Sequence, residues 1–294
     1  MQNILAFLNY LQYEKRYSTH TLVAYKTDLG QFNDYLIEQY ESTLFLVNSA
    51  MIRSWMMTVI ENGCSKRSLN RKLSSLRQFY KYSLRNDVIS TDPMARIVSM
   101  KVSLTIPSFL SKEEIYKLLE KNEFSNDYEG QRDKMILEMF YSTGIRLSEL
   151  INLKVSDVNY ESKQIKVLGK RSKERIIPLL DIHLKNVDNY IHTHRNELST
   201  LSDYLFLTKK GNVLYPKLVY RMVNTYLSEV TGVKQKSPHI LRHAFATHML
   251  NDGADLNAIK EILGHSSLTS TQIYTRSSAE RLKEIYKQAH PRGN

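Results

Sequence analysis

At 294 residues the chain has room for one large domain or two ordinary ones. Hydrophobic residues make up 42% and charged residues 24%, the balance of a soluble globular protein, and a single cysteine, Cys64, excludes a disulfide framework and a cysteine-rich zinc site. A net charge of +11 favours a polyanionic partner, and it is shared out: residues 1–105 carry 13 Lys and Arg against 8 Asp and Glu, and the remainder 28 against 22. Both halves can therefore face one polyanion, as the two jaws of a clamp would.

The apolar opening, Met1 to Tyr10, is short and has no basic leader, so it reads as an amphipathic helix rather than a signal peptide. No later stretch is long enough to span a bilayer, and a cytoplasmic protein without a membrane partner is expected. Ile4, Phe7, Leu8 and Leu11 recur at helical spacing. Ser18 reads as the N-cap of a second helix through Leu22, Tyr25, Leu29, Phe32 and Leu36. Ser49 is expected to cap a third, with Ile52, Trp55, Met56 and Val59 inward and Gly63 as its stop. Ser65 opens a fourth that runs to about Leu84.

That fourth helix carries seven basic residues and no acidic one between Ser65 and Arg85. At 100° per residue, Lys66, Arg67, Arg71, Arg77, Lys81 and Arg85 fall on one arc of about 140°, and Leu69, Leu73, Leu76, Phe79 and Tyr80 fall opposite, with Lys72 off the arc. A merely solvated face usually mixes charge signs. A wholly basic one suits phosphate contacts, because each neutralised phosphate releases counterions. These six residues are the expected DNA contacts.

The stretch from Asp92-Pro93 to Pro107 has breakers at both ends and little periodicity, so it reads as a linker. The expected division is 1–90, a linker over 91–107, and 108–294. Ser111-Lys112-Glu113-Glu114 forms a capping box ahead of Ile115, Leu118 and Leu119. A helix at Met135–Tyr141 follows. Residues Gln164–Leu168 and Arg175–Leu179 then read as two strands of a hairpin, turned by Gly169 to Glu174. Helices are expected at about 183–196, 216–231, 238–252 and 254–263, with more after Ser267. The fold class is thus mainly α, with a small antiparallel sheet in the second region.

Ser237-Pro238-His239 is a helix start, a serine cap followed by proline at the first helical position. His239 and Arg242 lie three apart and share a face of the first turn, where an anion is favoured. Taken singly, Arg146 is an ion-pair former beside Glu149, Lys170 is a solvated hairpin lysine, and Tyr274 is one of 19 tyrosines. Taken together, two arginines, a lysine, histidines and a tyrosine can attack a phosphodiester without metal. There is no Walker-type glycine loop and no paired-carboxylate motif, and His192 and His194 point apart on a helix, so no cofactor is expected.

Gly144-Ile145-Arg146, Gly169-Lys170, His239-x-x-Arg242, Leu263-Gly264-His265 and Tyr274 resemble, in order and spacing, the tyrosine recombinase (phage integrase) family. Leu241-Arg242-His243-Ala244-Phe245-Ala246-Thr247-His248, Leu263-Gly264-His265-Ser266 and the tail Tyr286 to Arg292 are similar to its XerC/XerD type, as are Ser18-Thr19-His20-Thr21 and Ala24-Tyr25 with Asp28-Leu29. The resemblance covers nearly the whole chain. It implies a four-helix SAM-like core-binding domain followed by the catalytic domain.

For the site, the resemblance implies Tyr274 as the nucleophile that forms a 3′-phosphotyrosine and frees a 5′-hydroxyl. Arg146 and Arg242 would grip the non-bridging oxygens, and Lys170 would be the general acid for the leaving oxygen. His239 would help deprotonate the tyrosine, and His265 would hold a phosphate oxygen. Arg171 stands where this turn often has glycine, which bears on the hairpin's fine geometry. His243 and His248 match no catalytic position. The implied partners are a duplex recombination site, a homo- or hetero-tetramer with a second Xer-type recombinase, and an activating DNA translocase of the FtsK type. The implied role is resolution of chromosome or plasmid dimers at cell division, through a Holliday junction. The last helix, about 279–288, would dock into a neighbouring protomer, the alternative being that it folds onto its own domain. Competing readings are an integrase or transposase of a mobile element, a non-catalytic DNA clamp, and a type IB topoisomerase.

Overall fold

The computed structural model describes residues 2–102, 110–169, 174–198 and 200–264, together with Tyr286, Gln288 and Ala289. The chain divides into two units, Met1–Ile106 and Pro107–Asn294.

In the first unit, α1 (Gln2–Asn9) runs into a wider π turn (Tyr10–Glu14), followed by α2 (Thr19–Tyr40), α3 (Ser49–Glu61) and α4 (Lys66–Arg85). Ser18 and Ser65 cap α2 and α4 as expected, accepting from the amides of Thr21 and Ser68. The cap of α3 is instead Asn48, whose Oδ1 accepts from the amides of Ala50 and Met51 at 2.9 and 3.1 Å. Ser49 is drawn away, because its hydroxyl donates to the Pro93 carbonyl at 2.9 Å. Phe7, Leu29, Phe32, Ile52, Trp55, Leu73, Leu76 and Phe79 close the core, with Phe32 and Trp55 rings 4.9 Å apart. Each such side chain contributes roughly 1.5–3 kcal/mol of transfer free energy.

The stretch read as a linker begins as part of this unit. Met94 and Ile97 are buried in its core. Asn70 holds the Met100 backbone twice, Nδ2 to the carbonyl and Oδ1 from the amide, both at 2.8 Å. Low periodicity marked irregular backbone there, which is not the same as unpacked backbone.

Asp28 is fully buried between α2 and α4. Arg71 donates to it with both terminal nitrogens, Ser75 with its hydroxyl at 2.8 Å and Lys72 at 3.4 Å. A buried carboxylate is tolerable only with such a set of donors.

The second unit opens on α5 (Lys112–Tyr116), whose capping box is complete: the Glu114 amide donates to Ser111 Oγ and the Ser111 amide to the Glu114 carboxylate. Next come α6 (Tyr128–Thr143) and α7 (Leu147–Ile151). A three-stranded antiparallel meander follows: β1 (Val158–Asn159), β2 (Gln164–Leu168) and β3 (Glu174–Pro178). β1 was not expected, since two residues carry no period. Ile165 faces Ile177 and Val167 faces Arg175, so Arg175 and Ile177 point inward together. After α8 (Asp181–Asn189) the helical path continues through Tyr190–His194 and Arg195–Leu198. Then come α9 (Pro216–Val230), α10 (Pro238–Asn251) and α11 (Leu256–Leu263).

Helix α6 is the centre of this unit. Met135, Ile136, Leu137, Met139, Phe140 and Tyr141 are all buried, and α10 packs along it through Leu241, Ala244, Phe245 and Met249. A helix apolar around its circumference belongs in a core. Of the last expected helix only Tyr286, Gln288 and Ala289 are described. Tyr286 and Ala289 are buried in this same unit, with the Tyr286 hydroxyl donating to the Ser142 carbonyl. At these residues the chain lies on its own domain. No described helix is long and apolar enough to cross a membrane.

Replacing Asp28 by alanine removes the acceptor that Arg71, Lys72 and Ser75 share. It is expected to lower the stability of the first unit by about 3 kcal/mol, read as a shifted urea midpoint at unchanged slope.

Candidate active site

Gly144 ends α6 in the left-handed region, at φ +59°. A side chain there would also collide, since its Cβ would stand 2.6 Å from Phe245 and 2.7 Å from Leu263. The tight turn carries the chain directly into Arg146 at the start of α7. The Arg146 amide donates to Glu149 Oε2 at 2.9 Å and Nη1 to Oε1 at 2.9 Å. The pairing of Arg146 with Glu149 is therefore real, but Glu149 is buried rather than superficial.

Glu149 has a second partner that sequence reasoning missed. Arg175, on the inward face of β3, donates Nη1 to Oε1 at 2.6 Å and Nη2 to Oε2 at 2.8 Å, a bidentate fork inside the protein. A signal existed: an arginine two residues before Ile177 on a half-buried strand shares its face and must find an acid.

Both guanidiniums also reach α11, and so does a third. Arg175 Nε donates to the Ile262 carbonyl at 2.7 Å, Arg242 Nη2 to Leu263 at 2.7 Å and Arg146 Nη2 to Gly264 at 2.8 Å. Three consecutive carbonyls at a helix C-terminus, which have no partner within the helix, are thus satisfied by three arginines. Arg242 Nη1 also donates to the Gly144 carbonyl, tying α10 to the turn before Arg146. Gly264, at φ +65°, packs bare backbone against Arg175, with its missing Cβ only 3.0 Å from Cδ.

The electrostatics follow from this crowding. Burial pushes the Glu149 carboxyl up, but hydrogen bonds from Arg175 and the Arg146 backbone, with the Arg175 charge, outweigh it and hold the pKa at about 2. Burial, then the charges of Arg146 and Arg175, bring Arg242 down to about 10, so it stays cationic at neutral pH. Three guanidiniums against one carboxylate leave a site that favours an anion.

His239 stands exposed in the first turn of α10, one turn before Arg242. Ser237 occupies the N-cap position, but its hydroxyl makes no capping bond. His243 is exposed, and His248 is buried with Nδ1 3.0 Å from the Tyr141 hydroxyl, a core contact. The structure therefore brings Arg146 and Arg242 together and sets His239 beside them in sequence. Lys170, His265 and Tyr274 lie outside the described residues.

On α4 the six expected contacts separate into kinds. Lys66, Arg67, Lys81 and Arg85 are exposed and have no ion-pair partner among the described residues. Arg71 is half-exposed and tethered to Asp28. Arg77 is turned to the Ile97 carbonyl at 3.0 Å. Lys72, off the arc, goes to Asp28 and Gln31.

The profile of the phage integrase family matches residues 108–281, and that of the phage integrase N-terminal SAM-like domain matches residues 4–87. Over 97% of its length the chain is 39% identical to tyrosine recombinase XerC of Chlorobaculum parvum, covering 93% of that protein. It is 37% identical to tyrosine recombinase XerD of Staphylococcus haemolyticus, over 97% of both chains. Among solved structures, the XerH site-specific recombinase bound to palindromic difH substrate, in a post-cleavage complex, aligns with a TM-score of 0.72 at 26% identity. That alignment covers 90% of this chain and 78% of the other. The Tn1549 transposon integrase shares the fold, with a TM-score of 0.72 at 19% identity over 95% and 98% of the two chains.

A carboxyl held below its unfolded value of 4.5 stabilises the fold fully above that pH and gives that stability up as the pH falls toward about 2. Glu149→Gln should therefore cost about 3 kcal/mol at pH 7 and flatten the stability profile between pH 4.5 and 2, as measured by urea unfolding across that range.

Proposed function

The chain belongs to the phage integrase family and is a tyrosine-type site-specific recombinase, and from that premise we propose that it cuts and rejoins duplex DNA at a defined recombination site through a 3′-phosphotyrosine on Tyr274. The observation that carries the site assignment is the convergence of Arg146 and Arg242 on the consecutive carbonyls of Gly264 and Leu263, immediately before His265 in the chain.

In this reading Arg146 and Arg242 bind the non-bridging oxygens of the scissile phosphate. Their planar forks suit that geometry, and their charge is stronger in a buried site than in water. The Tyr274 oxygen attacks phosphorus, with His239 helping to take its proton. The bond to the 5′ oxygen breaks, and Lys170 delivers the proton that makes it a hydroxyl. His265 holds a phosphate oxygen. The phosphotyrosine conserves the phosphodiester bond energy, so a 5′-hydroxyl from a second duplex reverses the step without ATP.

Lys66, Arg67, Lys81 and Arg85 of α4 are the side chains free to neutralise phosphates, with Arg71 presented from its Asp28 tether. Four protomers, all of this chain or shared with a second Xer-type recombinase, assemble on two sites and exchange strands in two rounds through a Holliday junction. The cellular role is resolution of chromosome or plasmid dimers at division, with a DNA translocase of the FtsK type as activator. Relatives called XerC and XerD, at 39% and 37% identity, support the Xer-type reading.

The decisive measurement is covalent trapping on a nicked suicide duplex carrying the host's chromosome-terminus site, with EDTA and no ATP. Wild-type protein should give a denaturant-stable protein–DNA band that Tyr274→Phe abolishes. Arg242→Ala should lose roughly 10²–10³-fold in single-turnover cleavage while binding changes little. A band that survives Tyr274→Phe would sink the assignment.

A further inference from the structure

Arg175 is the arginine of the cluster that the proposed chemistry leaves without a task, and it is the most fully bound. Its two terminal nitrogens lie on the two oxygens of Glu149, and Nε lies on the Ile262 carbonyl. These contacts take all three nitrogens of one rigid plane. A lysine, with one point charge, cannot reproduce them.

The three attachments belong to three different elements. β3 begins at Glu174, four residues after Lys170 in the chain. Glu149 is on α7 and holds both the backbone and the guanidinium of Arg146. Ile262 is in the last turn of α11, two residues before Gly264 and three before His265. A purely structural ion pair would need only Glu149 and Arg175, and nothing in such a pair requires the third bond or the bare glycine packed against the Arg175 side chain.

We propose that Arg175 is a positioning residue for strand cleavage: it sets β3, the strand that follows the general acid Lys170 in the chain, in register with Arg146 and with the end of α11, which precedes Tyr274 in the chain. This rests on the reading of the chain as a phosphotyrosine recombinase. Misplacement of a catalytic group by about 1 Å costs on the order of 10²-fold in rate, so one guanidinium joining three elements has leverage well beyond its contact area.

The experiment compares full-length wild type, Arg175→Gln, Glu149→Gln and the double variant Arg175→Gln/Glu149→Gln. Each is assayed for thermal unfolding, for binding to the duplex site, and for single-turnover covalent complex formation. The suicide duplex carries either the normal 5′ oxygen or a 5′-bridging sulfur at the scissile bond. Sulfur leaves as a thiolate and needs no general acid. In Arg175→Gln, binding should stay within about threefold of wild type and cleavage of the oxygen substrate should fall roughly 100-fold. The sulfur-to-oxygen rate ratio should rise at least about tenfold.

Removing the carboxylate that Arg175→Gln leaves with Arg146 as its one remaining ion-pair partner among the described residues should, in the double variant, recover stability relative to Arg175→Gln, yet leave cleavage of the oxygen substrate slower than in Glu149→Gln. A merely structural arginine would slow both substrates equally, in proportion to the folded fraction, and cleavage would return with stability. Either result overturns the proposal. Wild-type cleavage alongside an unimpaired Arg175→Gln overturns this proposal alone. Absence of any covalent complex with wild-type protein overturns the phosphotyrosine mechanism itself, and this inference with it.

Discussion

One buried carboxylate organises the catalytic unit. Glu149 has almost no access to water, so its charge survives only because Arg175 grips both oxygens and Arg146 supplies a backbone amide and a guanidinium nitrogen. Each of those donors then has its own position dictated. Arg175 must sit inward on β3, Arg146 must begin α7, and both must turn their remaining nitrogens to the end of α11. The left-handed turn at Gly144 and the cap at Gly264 are the backbone geometries that make this convergence possible.

In the proposed mechanism the same crowding prepares the site for a phosphodiester. Among the described residues, three guanidiniums and one carboxylate leave a surplus of two positive charges in a poorly hydrated place. A phosphodiester brings one negative charge, and its phosphorane-like transition state carries two. The surplus therefore matches the transition state better than the ground state, which is the condition for binding energy to accelerate a reaction. The arginines need little reorganisation, because carbonyls of Gly144, Leu263 and Gly264 already hold them on one edge.

Much of this was legible in the sequence, and the exceptions have physical reasons. Arg146, His239 and Arg242 stood out because glycine, proline and spacing marked the turns that present them. The caps at Ser18, Ser65 and Ser111 were readable from local chemistry. Asn48 and Ser49 are both good caps side by side, and what decides between them is a contact from Ser49 to Pro93, 44 residues away. Arg175 escaped notice because a charged residue at the edge of a short strand reads as solvated. Only the partner acid, on another element, reveals that it faces inward. The basic arc on α4 was drawn from periodicity alone, and periodicity does not see Asp28 or the Ile97 carbonyl, which engage Arg71 and Arg77. Lys72, off the arc, is drawn inward by the same buried acid.

The long reach of the arginine contacts has a consequence for synthesis. Glu149 and Arg175 are 26 residues apart, so both partners are available once the hairpin has been made. Three of the other ties span 87, 98 and 118 residues and wait for α10 and α11. Contacts so distant in sequence form late, after the local ones have closed the intervening loops. A nascent chain thus has the whole of its basic first unit available to fold well before the arginine cluster of the second unit can be assembled.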